Sequence, residues 1–192
     1  MENVLSPQVV PAVSESAARE LADFDSLVRL YQPRVFRFIL ASMRDRETAE
    51  NLTQECFLKA YQARHRFRGA SSVATWLMQI AVNTVRSHVA GNRFKFWRRT
   101  ERSGIDASVA EAWLADRHSS PEAMALAKQE VAAIWNAVAG LSPRQRSVFL
   151  LRFVEEMELL EIAAVTGMKE GTVKAHLFRA LEAVRKRIEA GK

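Results

Sequence analysis

The chain has 192 residues, enough for one domain or two small ones, and its formal net charge is +6. A hydrophobic content of 48% permits an ordinary globular core, and the positive charge favours an anionic partner such as nucleic acid. A single cysteine, Cys56, excludes an intrachain disulfide and a cysteine metal cluster. There is no secretory pattern and no apolar run of membrane-spanning length, so we expect a cytoplasmic protein without membrane insertion.

The first part of the chain predicts a mobile tail followed by a long helix. Residues 1–13 contain two prolines, which is typical of a mobile tail. From Ser14 to about Met43 the pattern is helical, and Pro33 is expected to interrupt or kink that helix because it lacks a backbone N–H. The predicted core residues are Phe24, Leu27, Val28, Tyr31, Val35, Phe38 and Ile39.

A second helix is predicted from about Arg46 to His65. Its apolar spacing predicts one buried face, formed by Ala49, Leu52, Thr53, Cys56, Phe57 and Ala60. On the opposite face, Leu58 lies among Glu50, Gln54 and Glu55. A lone exposed leucine usually has no function, but this polar setting also fits a docking face for a protein partner.

A loop and a third helix follow. Residues 67–72 contain a glycine and two serines, which favour a loop that ends in a helix N-cap, and a helix is predicted from Val73 to Ala90. Trp76 is a better candidate for the core than for a stacking platform, and Asn83 lies at the edge of the inner face. The predicted inner face consists of Val73, Trp76, Leu77, Ile80, Thr84 and His88.

Residues 86–102 are strongly basic, with six arginine and lysine residues against Glu101, and they include three aromatic residues. This mixture suits single-stranded nucleic acid, through phosphate attraction and base stacking, and equally suits a helix end that continues into a solvated linker. The serine-, glycine- and acid-containing residues 101–121 are interpreted as a flexible linker, in which Trp113 and Leu114 are unusual.

The second half predicts another group of helices. One helix is expected from Pro121 to about Ala139, with Ala125, Val131, Ile134, Trp135 and Val138 facing inward. Ser142 is expected to cap a further helix, whose predicted core residues are Val148, Leu150, Leu151 and Phe153. The sequence therefore predicts an all-α protein with two small helical domains, residues 14–100 and 122–192.

The C-terminal part has the pattern of a helix-turn-helix. Leu159–Val165 is predicted as a short helix, Thr166–Met168 as a turn, and Glu170–Ile188 as a longer helix. Gly167 suits the end of the first helix because glycine enters the left-handed region without steric cost. The longer helix has one apolar stripe, consisting of Val173, Leu177, Ala180, Leu181, Val184 and Ile188.

The other face of this longer helix fits the major groove of DNA. Lys174 and Arg179 can meet guanine or phosphate, Ala175 and Phe178 can meet a thymine methyl group or sugar, and His176 lies on the flank. The alternative is an ordinary solvated surface with cations near the helix C-terminus. The apolar Phe178 favours DNA binding.

Four motifs in this order resemble bacterial sigma factors of the extracytoplasmic function group, from about Asp23 to Ile188. The run from Ala49 to Tyr61 looks like the family's polymerase-docking helix, and Phe67–Gly69 with Thr75–Asn83 looks like its promoter-melting segment. Leu141–Arg146 and Gly171–Ala180 look like its helix-turn-helix. The chain departs from the family at Asn51, Glu156 and Glu158, where an acid, a small turn residue and a capping serine are usual.

The resemblance implies a function and the residues that perform it. Such a protein binds core RNA polymerase and promoter DNA, and many relatives are held inactive by an anti-sigma factor. The upstream promoter element would be read by Lys174, Ala175, His176, Phe178 and Arg179. Promoter melting would involve Phe67, Arg68, Ser71, Ser72, Trp76, Asn83 and Arg86. Polymerase would be contacted by Glu50, Gln54, Glu55 and Leu58.

Two other functional classes are an enzyme and a stand-alone DNA-binding regulator. The four histidines show no metal-ligand spacing, and there is no phosphate-binding glycine loop or nucleophile elbow, so we expect no catalytic residue, metal or cofactor. A stand-alone helix-turn-helix regulator is the stronger alternative. It would normally form a dimer on a two-fold DNA site and would need neither the docking face nor the basic aromatic segment.

Overall fold

The computed structural model describes residues 15–91 and 131–190, and within these ranges all regular secondary structure is helical. This confirms the predicted all-α class. The predicted tail, most of the basic aromatic segment, the linker and the start of the helix after Pro121 lie outside the described residues. Domain one contains α1 (Glu15–Ala22), α2 (Phe24–Met43), α3 (Arg46–Ala63), a 3-10 turn (Arg64–Arg66) and α4 (Val73–Gly91). Domain two contains α5 (described over 131–139), α6 (Pro143–Phe153), α7 (Leu159–Thr166) and α8 (Glu170–Ala190).

The first long helix is divided at Asp23 and not at Pro33. The Asp23 carboxylate accepts a hydrogen bond of 3.1 Å from the Ser26 N–H and so caps α2. The cap separates α2 from α1. The helix then continues through Pro33, so the predicted interruption there is wrong. Pro33 is exposed, and water can therefore bind the carbonyl group that loses its helical partner.

A tight connection joins α2 to α3. Arg44 ends α2 in the left-handed conformation at φ 59°, and its N–H donates to the Leu40 carbonyl at 2.7 Å. Asp45 then caps α3 by accepting a hydrogen bond of 3.0 Å from the Thr48 N–H. With two residues between them, the helices form an antiparallel pair that packs along its length.

The core of domain one lies between α2, α3 and α4. Phe38, Ile39, Leu77 and Met78 are fully buried, and so is Cys56. Burial raises the pKa of the Cys56 thiol to about 12, so this side chain behaves as a small apolar group. The predicted buried face of α3 is confirmed at every position: Ala49, Leu52, Thr53, Cys56, Phe57 and Ala60.

Domain two begins as its local signals predict. Ser142 and Gln145 form a reciprocal capping box at the start of α6, and Pro143 is the first helical residue. Gly167 ends α7 at φ 71°, which confirms the turn of the helix-turn-helix. The core of this domain is formed by Val138, Val148, Leu150, Leu151, Ile162, Val165 and Val173.

Three predicted core residues of domain two are instead exposed: Ile134, Phe153 and Leu181. Phe153 is 46% exposed and packs one side of its ring against Phe149 at 4.8 Å between ring centroids. Each of the three lies at the margin of an apolar stripe or at a helix end. A helical pattern fixes the centre of a buried face better than its edges.

The two domains pack against each other. Helix α4 of domain one lies along α7, and α2 lies along α6. A cavity of about 690 Å³ remains between the domains near the ends of α4 and α6. The domain arrangement therefore places parts of the predicted promoter-melting helix and of the helix-turn-helix opposite one another.

Candidate nucleic-acid and partner interfaces

The predicted docking residues share the exposed side of α3. Glu50, Gln54, Glu55 and Leu58 are all exposed, and 57% of Leu58 is accessible to solvent. Glu50 is paired with Arg46 at 2.9 Å and Glu55 with Lys59 at 2.6 Å, each one helical turn away. The result is an apolar residue flanked by anchored carboxylates, which is the chemistry of a protein-binding face.

Tyr61 neighbours this face, although it is not among the predicted docking residues. Tyr61 lies three residues after Leu58 and is 47% exposed. Its ring packs edge-on against Phe24 at 5.2 Å, and the Arg64 guanidinium lies over it at 3.6 Å from the centroid. The spacing of three residues would have identified it, because residues at that spacing are neighbours on a helix surface.

The loop before α4 forms a small aromatic cluster. The rings of Phe67 and Trp76 meet at 5.4 Å with an interplanar angle of 60°, and both side chains are half-buried. Ser72 caps α4, since its hydroxyl accepts a hydrogen bond of 3.1 Å from the Thr75 N–H. Arg68 and Ser71 are exposed beside this cluster. The loop thus combines an apolar surface with a cation and hydroxyl groups.

Asn83 and Arg86 form a second group further along α4. The half-buried Asn83 accepts a hydrogen bond of 2.6 Å through Oδ1 from Nη2 of the exposed Arg86. Asn83 follows Trp76 by two helical turns, which is about 10 Å along the helix axis. The predicted promoter-melting residues therefore lie in two groups on α4 and its preceding loop.

The predicted DNA-reading residues of α8 divide between solvent and the neighbouring domain. Lys174, Phe178 and Arg179 are exposed, and 63% of Phe178 is accessible. Lys174 is paired with Glu170 at 2.6 Å. Ala175 and His176 are half-buried, and His176 lines the cavity between the domains.

The cavity brings together basic side chains from both domains. Arg86 of α4 faces it from one side, and Arg144, Arg146 and His176 face it from the other. The described lining contains no carboxylate. Burial lowers the pKa of His176, and the charges of Arg179 and Arg144 lower it further. His176 is therefore neutral at pH 7, with its Nδ1 atom buried.

Within residues 15–91 and 131–190, no three histidine, cysteine or acidic side chains are grouped so that they could hold a metal ion. Over the same ranges, no helix has the length and apolar character needed to cross a membrane.

Comparison with known proteins identifies both halves of the chain. The Sigma-70 region 2 family model matches residues 27–95, and the model for Sigma-70, region 4 matches residues 132–184. The chain is 34% identical over 170 residues to RNA polymerase sigma-H factor of Pseudomonas aeruginosa, covering 86% of each protein. It is 31% identical over 170 residues to the ECF RNA polymerase sigma-E factor of Escherichia coli K12, again covering 86% of each.

Two solved structures share the fold. One is the sigma factor RpoE of Bartonella quintana in complex with the anti-sigma factor NepR, with a TM-score of 0.62, 20% identity and coverage of 88% of this chain and 99% of that one. The other is CnrH in complex with the cytosolic domain of CnrY, with a TM-score of 0.63, 19% identity and coverage of 92% and 96%. The family models that match both domains, together with the sigma-H and sigma-E relatives, show that the chain belongs to the extracytoplasmic function group of the sigma-70 family of RNA polymerase sigma factors.

Proposed function

We propose a division of labour between the two domains during transcription initiation. Domain one docks on core RNA polymerase through the exposed face of α3 and holds the opened promoter strand with α4 and its preceding loop. Domain two reads the upstream promoter element as duplex through α8. The observation that carries this proposal is the exposed face of α8, where the apolar Phe178 lies between Lys174 and Arg179.

The chemistry of domain one supports strand capture. An unstacked base needs an apolar wall and a polar group that reads its edge. The Phe67–Trp76 cluster supplies the wall, and Asn83 supplies an amide that both donates and accepts. Arg68 and Arg86 are exposed cations that can contact phosphate.

The partners are core RNA polymerase, promoter DNA and an anti-sigma factor. The first two follow from membership of the sigma-70 family. The third is supported by the RpoE neighbour, which was solved with its anti-sigma factor. We further propose that residues 14–100 and 122–192 act as the two functional units and that the protein works in the cytoplasm.

A stand-alone regulator is less well supported. Such a protein would share the helix-turn-helix of domain two but not the whole chain. The match to sigma-H factor covers 86% of the chain and therefore both domains. The exposed Leu58 face of α3 is also unnecessary for a protein that acts without polymerase.

The proposal is tested by transcription in vitro with core RNA polymerase and genomic fragments, on duplex and on pre-melted promoters. Specific start sites that depend on the added protein are expected. Arg179→Ala should lower use of the duplex promoter about tenfold and spare the pre-melted one, because Arg179 contacts only duplex DNA in this scheme. Glu189→Ala, a change near the exposed end of the same helix, is the control. Absence of protein-dependent start sites would refute the function, and an equal loss on both templates would refute the role of Arg179.

A further inference from the structure

We propose that the two domains close on each other in the free protein and that Glu155 latches this closed state. The conformational part of this inference stands on the contacts between the domains alone. Its consequence for DNA binding rests on the proposed function of α8.

The latch is a buried carboxylate that is paired across the domain boundary. Glu155 lies in the turn between α6 and α7, and its side chain is 0% exposed. Its Oε2 atom lies 2.6 Å from Nε of Arg34, and its Oε1 atom lies 3.6 Å from Nε of Arg37. Arg34 also donates through Nη2 to the Glu155 backbone carbonyl at 3.2 Å. Both arginines belong to α2 of domain one.

Burial explains why this contact discriminates between closed and open states. A carboxylate inside a protein is tolerated when cations and hydrogen bonds replace its water. Here the cations come from the other domain, so separation of the domains returns Glu155 to water. The pair therefore favours the closed arrangement without being needed for the fold of either domain.

The turn that carries Glu155 is anchored by buried residues before and after it. Val154 and Met157 are buried, and the Met157 N–H donates to the Leu151 carbonyl at 3.0 Å. Glu156 adopts φ 54°, a left-handed conformation that is uncommon outside glycine and asparagine. A turn with this geometry points consecutive carboxylates in different directions, with Glu155 buried and Glu156 exposed.

Two more hydrogen bonds cross the boundary. Nη1 of the buried Arg146 donates to the Ser42 carbonyl at 3.0 Å. Nε2 of Gln79 donates to the Ala164 carbonyl at 3.4 Å, where α4 lies along α7. These two hydrogen bonds support the same closed arrangement of the domains at positions away from Glu155.

Closure hides part of the predicted DNA surface. Arg86 of α4 and His176 of α8 line one cavity of about 690 Å³ between the domains. A recognition helix in the major groove is flanked by DNA on both sides, so the flank of α8 that carries His176 must be free when duplex binds. Closure leaves Lys174, Phe178 and Arg179 exposed but covers the flank that carries His176, so we expect it to weaken duplex binding, with an apparent affinity that falls as the closed fraction rises.

The closed state is tested by energy transfer between dyes on the two domains. Cysteines introduced at the exposed Gln62 and Glu182 carry the dyes, and the buried Cys56 stays unlabelled. Glu155→Gln keeps the volume of the side chain and removes its charge. We expect lower energy transfer and about fivefold tighter binding of the free protein to promoter duplex. Glu156→Gln, in the same turn but exposed, should match the unsubstituted protein in both measurements.

A second variant approaches the same contact from domain one. Arg34→Gln removes the closest cation and should open the protein to the same extent as Glu155→Gln. The double variant should open it no further, because both changes break one interaction. Arg34→Gln also provides the test of the latch if Glu155→Gln lowers the melting temperature enough to impair folding.

The possible outcomes test the Glu155 latch and the proposed function independently. Unchanged energy transfer in the folded variants, or an unsubstituted protein that is already open, would overturn the latch. Opening without tighter duplex binding would overturn the occlusion of α8. If the variants open as expected and polymerase still initiates nowhere with the unsubstituted protein, the proposed function fails and the latch stands.

Discussion

At the scale of single residues, the side chain of Asn83, the proposed reader of an unstacked base, is already oriented by a neighbouring residue. Its Oδ1 atom already accepts a hydrogen bond from Arg86. The bond fixes which end of the amide is the acceptor and leaves Nδ2 to meet a base. It also holds the exposed Arg86 guanidinium beside the amide, where the proposed function would have it contact phosphate.

Asn83→Ala is expected to impair promoter opening and to spare recruitment to the upstream element. Loss of the amide leaves a base edge without its partner, at a cost of about 1–3 kcal/mol, or roughly ten- to hundredfold in opening. Transcription from duplex and pre-melted templates measures the difference. Ser87→Ala, on the same helix and exposed, is the control. An equal defect on both templates together with a lower melting temperature would show that Asn83 has a structural role.

His176 should give the native state a specific sensitivity to acid. Because its pKa is lowered, chiefly by burial, the unfolded chain binds this proton more readily than the folded one. The stability associated with neutral His176 is present above about pH 6.5 and is lost as the pH falls through the lower folded-state pKa. Melting temperatures between pH 7.5 and 5 should therefore fall more steeply for the unsubstituted protein than for His176→Gln. Parallel curves would contradict this.

The roles of some single residues could be predicted from local sequence signals. Other residues act through partners that lie far away in the sequence, and their roles could not be predicted. Ser142 and Gly167 were predicted because a cap and a left-handed turn depend on a few neighbouring residues. Glu155 carries no such local signal in the sequence. Its actual partner, Arg34, is separated from it by 121 residues, and no local pattern reports such a pair.

At the scale of elements, α3 shows the clearest separation of buried and exposed faces. Its buried face fills the core of domain one, and the exposed face carries Leu58 with its polar neighbours. Periodicity alone predicted both faces, because the helix is long and both its neighbours lie on one side. A change on the exposed face should therefore affect partners and not the core.

Leu58→Asp is expected to weaken binding to core polymerase by about tenfold or more while the fold is retained. A charge at an exposed position costs little stability, but it cannot enter an apolar site on a partner. Binding to labelled core polymerase and the circular dichroism spectrum measure the two effects. Leu58→Met, which remains apolar, should bind normally. Unchanged binding of Leu58→Asp would exclude the docking role, and lost helicity would contradict the exposure.

Helix α6 allows its N-terminal cap to be tested in isolation. Ser142→Ala removes the side chain that accepts from the Gln145 N–H and breaks the capping box. We expect a loss of about 1 kcal/mol in the free energy of unfolding. Ser147→Ala on the same helix removes a hydroxyl that bonds only to the Pro143 carbonyl in the described contacts, and should cost less. Urea unfolding curves give both values, and equal losses would argue against the cap.

The division between α1 and α2 could have been predicted from the sequence. Asp23 is an N-cap residue that precedes an apolar helical run, which is a recognised start signal. The predicted interruption at Pro33 rested on the backbone donor that proline lacks. At an exposed position near the middle of a helix with strong packing on its other side, proline is tolerated, since tertiary contacts outweigh local propensity.

At the scale of the whole molecule, the sequence predicted two helical domains but not how they meet. Each domain has its own apolar stripes, and these determine its internal packing. The contact between α4 and α7 instead joins segments far apart in the chain, such as Gln79 and Ala164 at a separation of 85 residues, and no local pattern in the sequence reports such a pairing. For the same reason, the appearance of Arg86 and His176 in one cavity was unexpected.

Arg146 makes the heat stability of one domain depend on the other. Its guanidinium donates to the carbonyls of Ala139 and Leu141 in domain two and to Ser42 in domain one. Burial lowers its pKa to about 10, so the group is still charged at neutral pH and needs all these acceptors. Calorimetry should therefore show a single cooperative transition, with equal calorimetric and van't Hoff enthalpies. Arg146→Met should split it into two, whereas Arg152→Met, which alters contacts inside domain two alone, should only shift it.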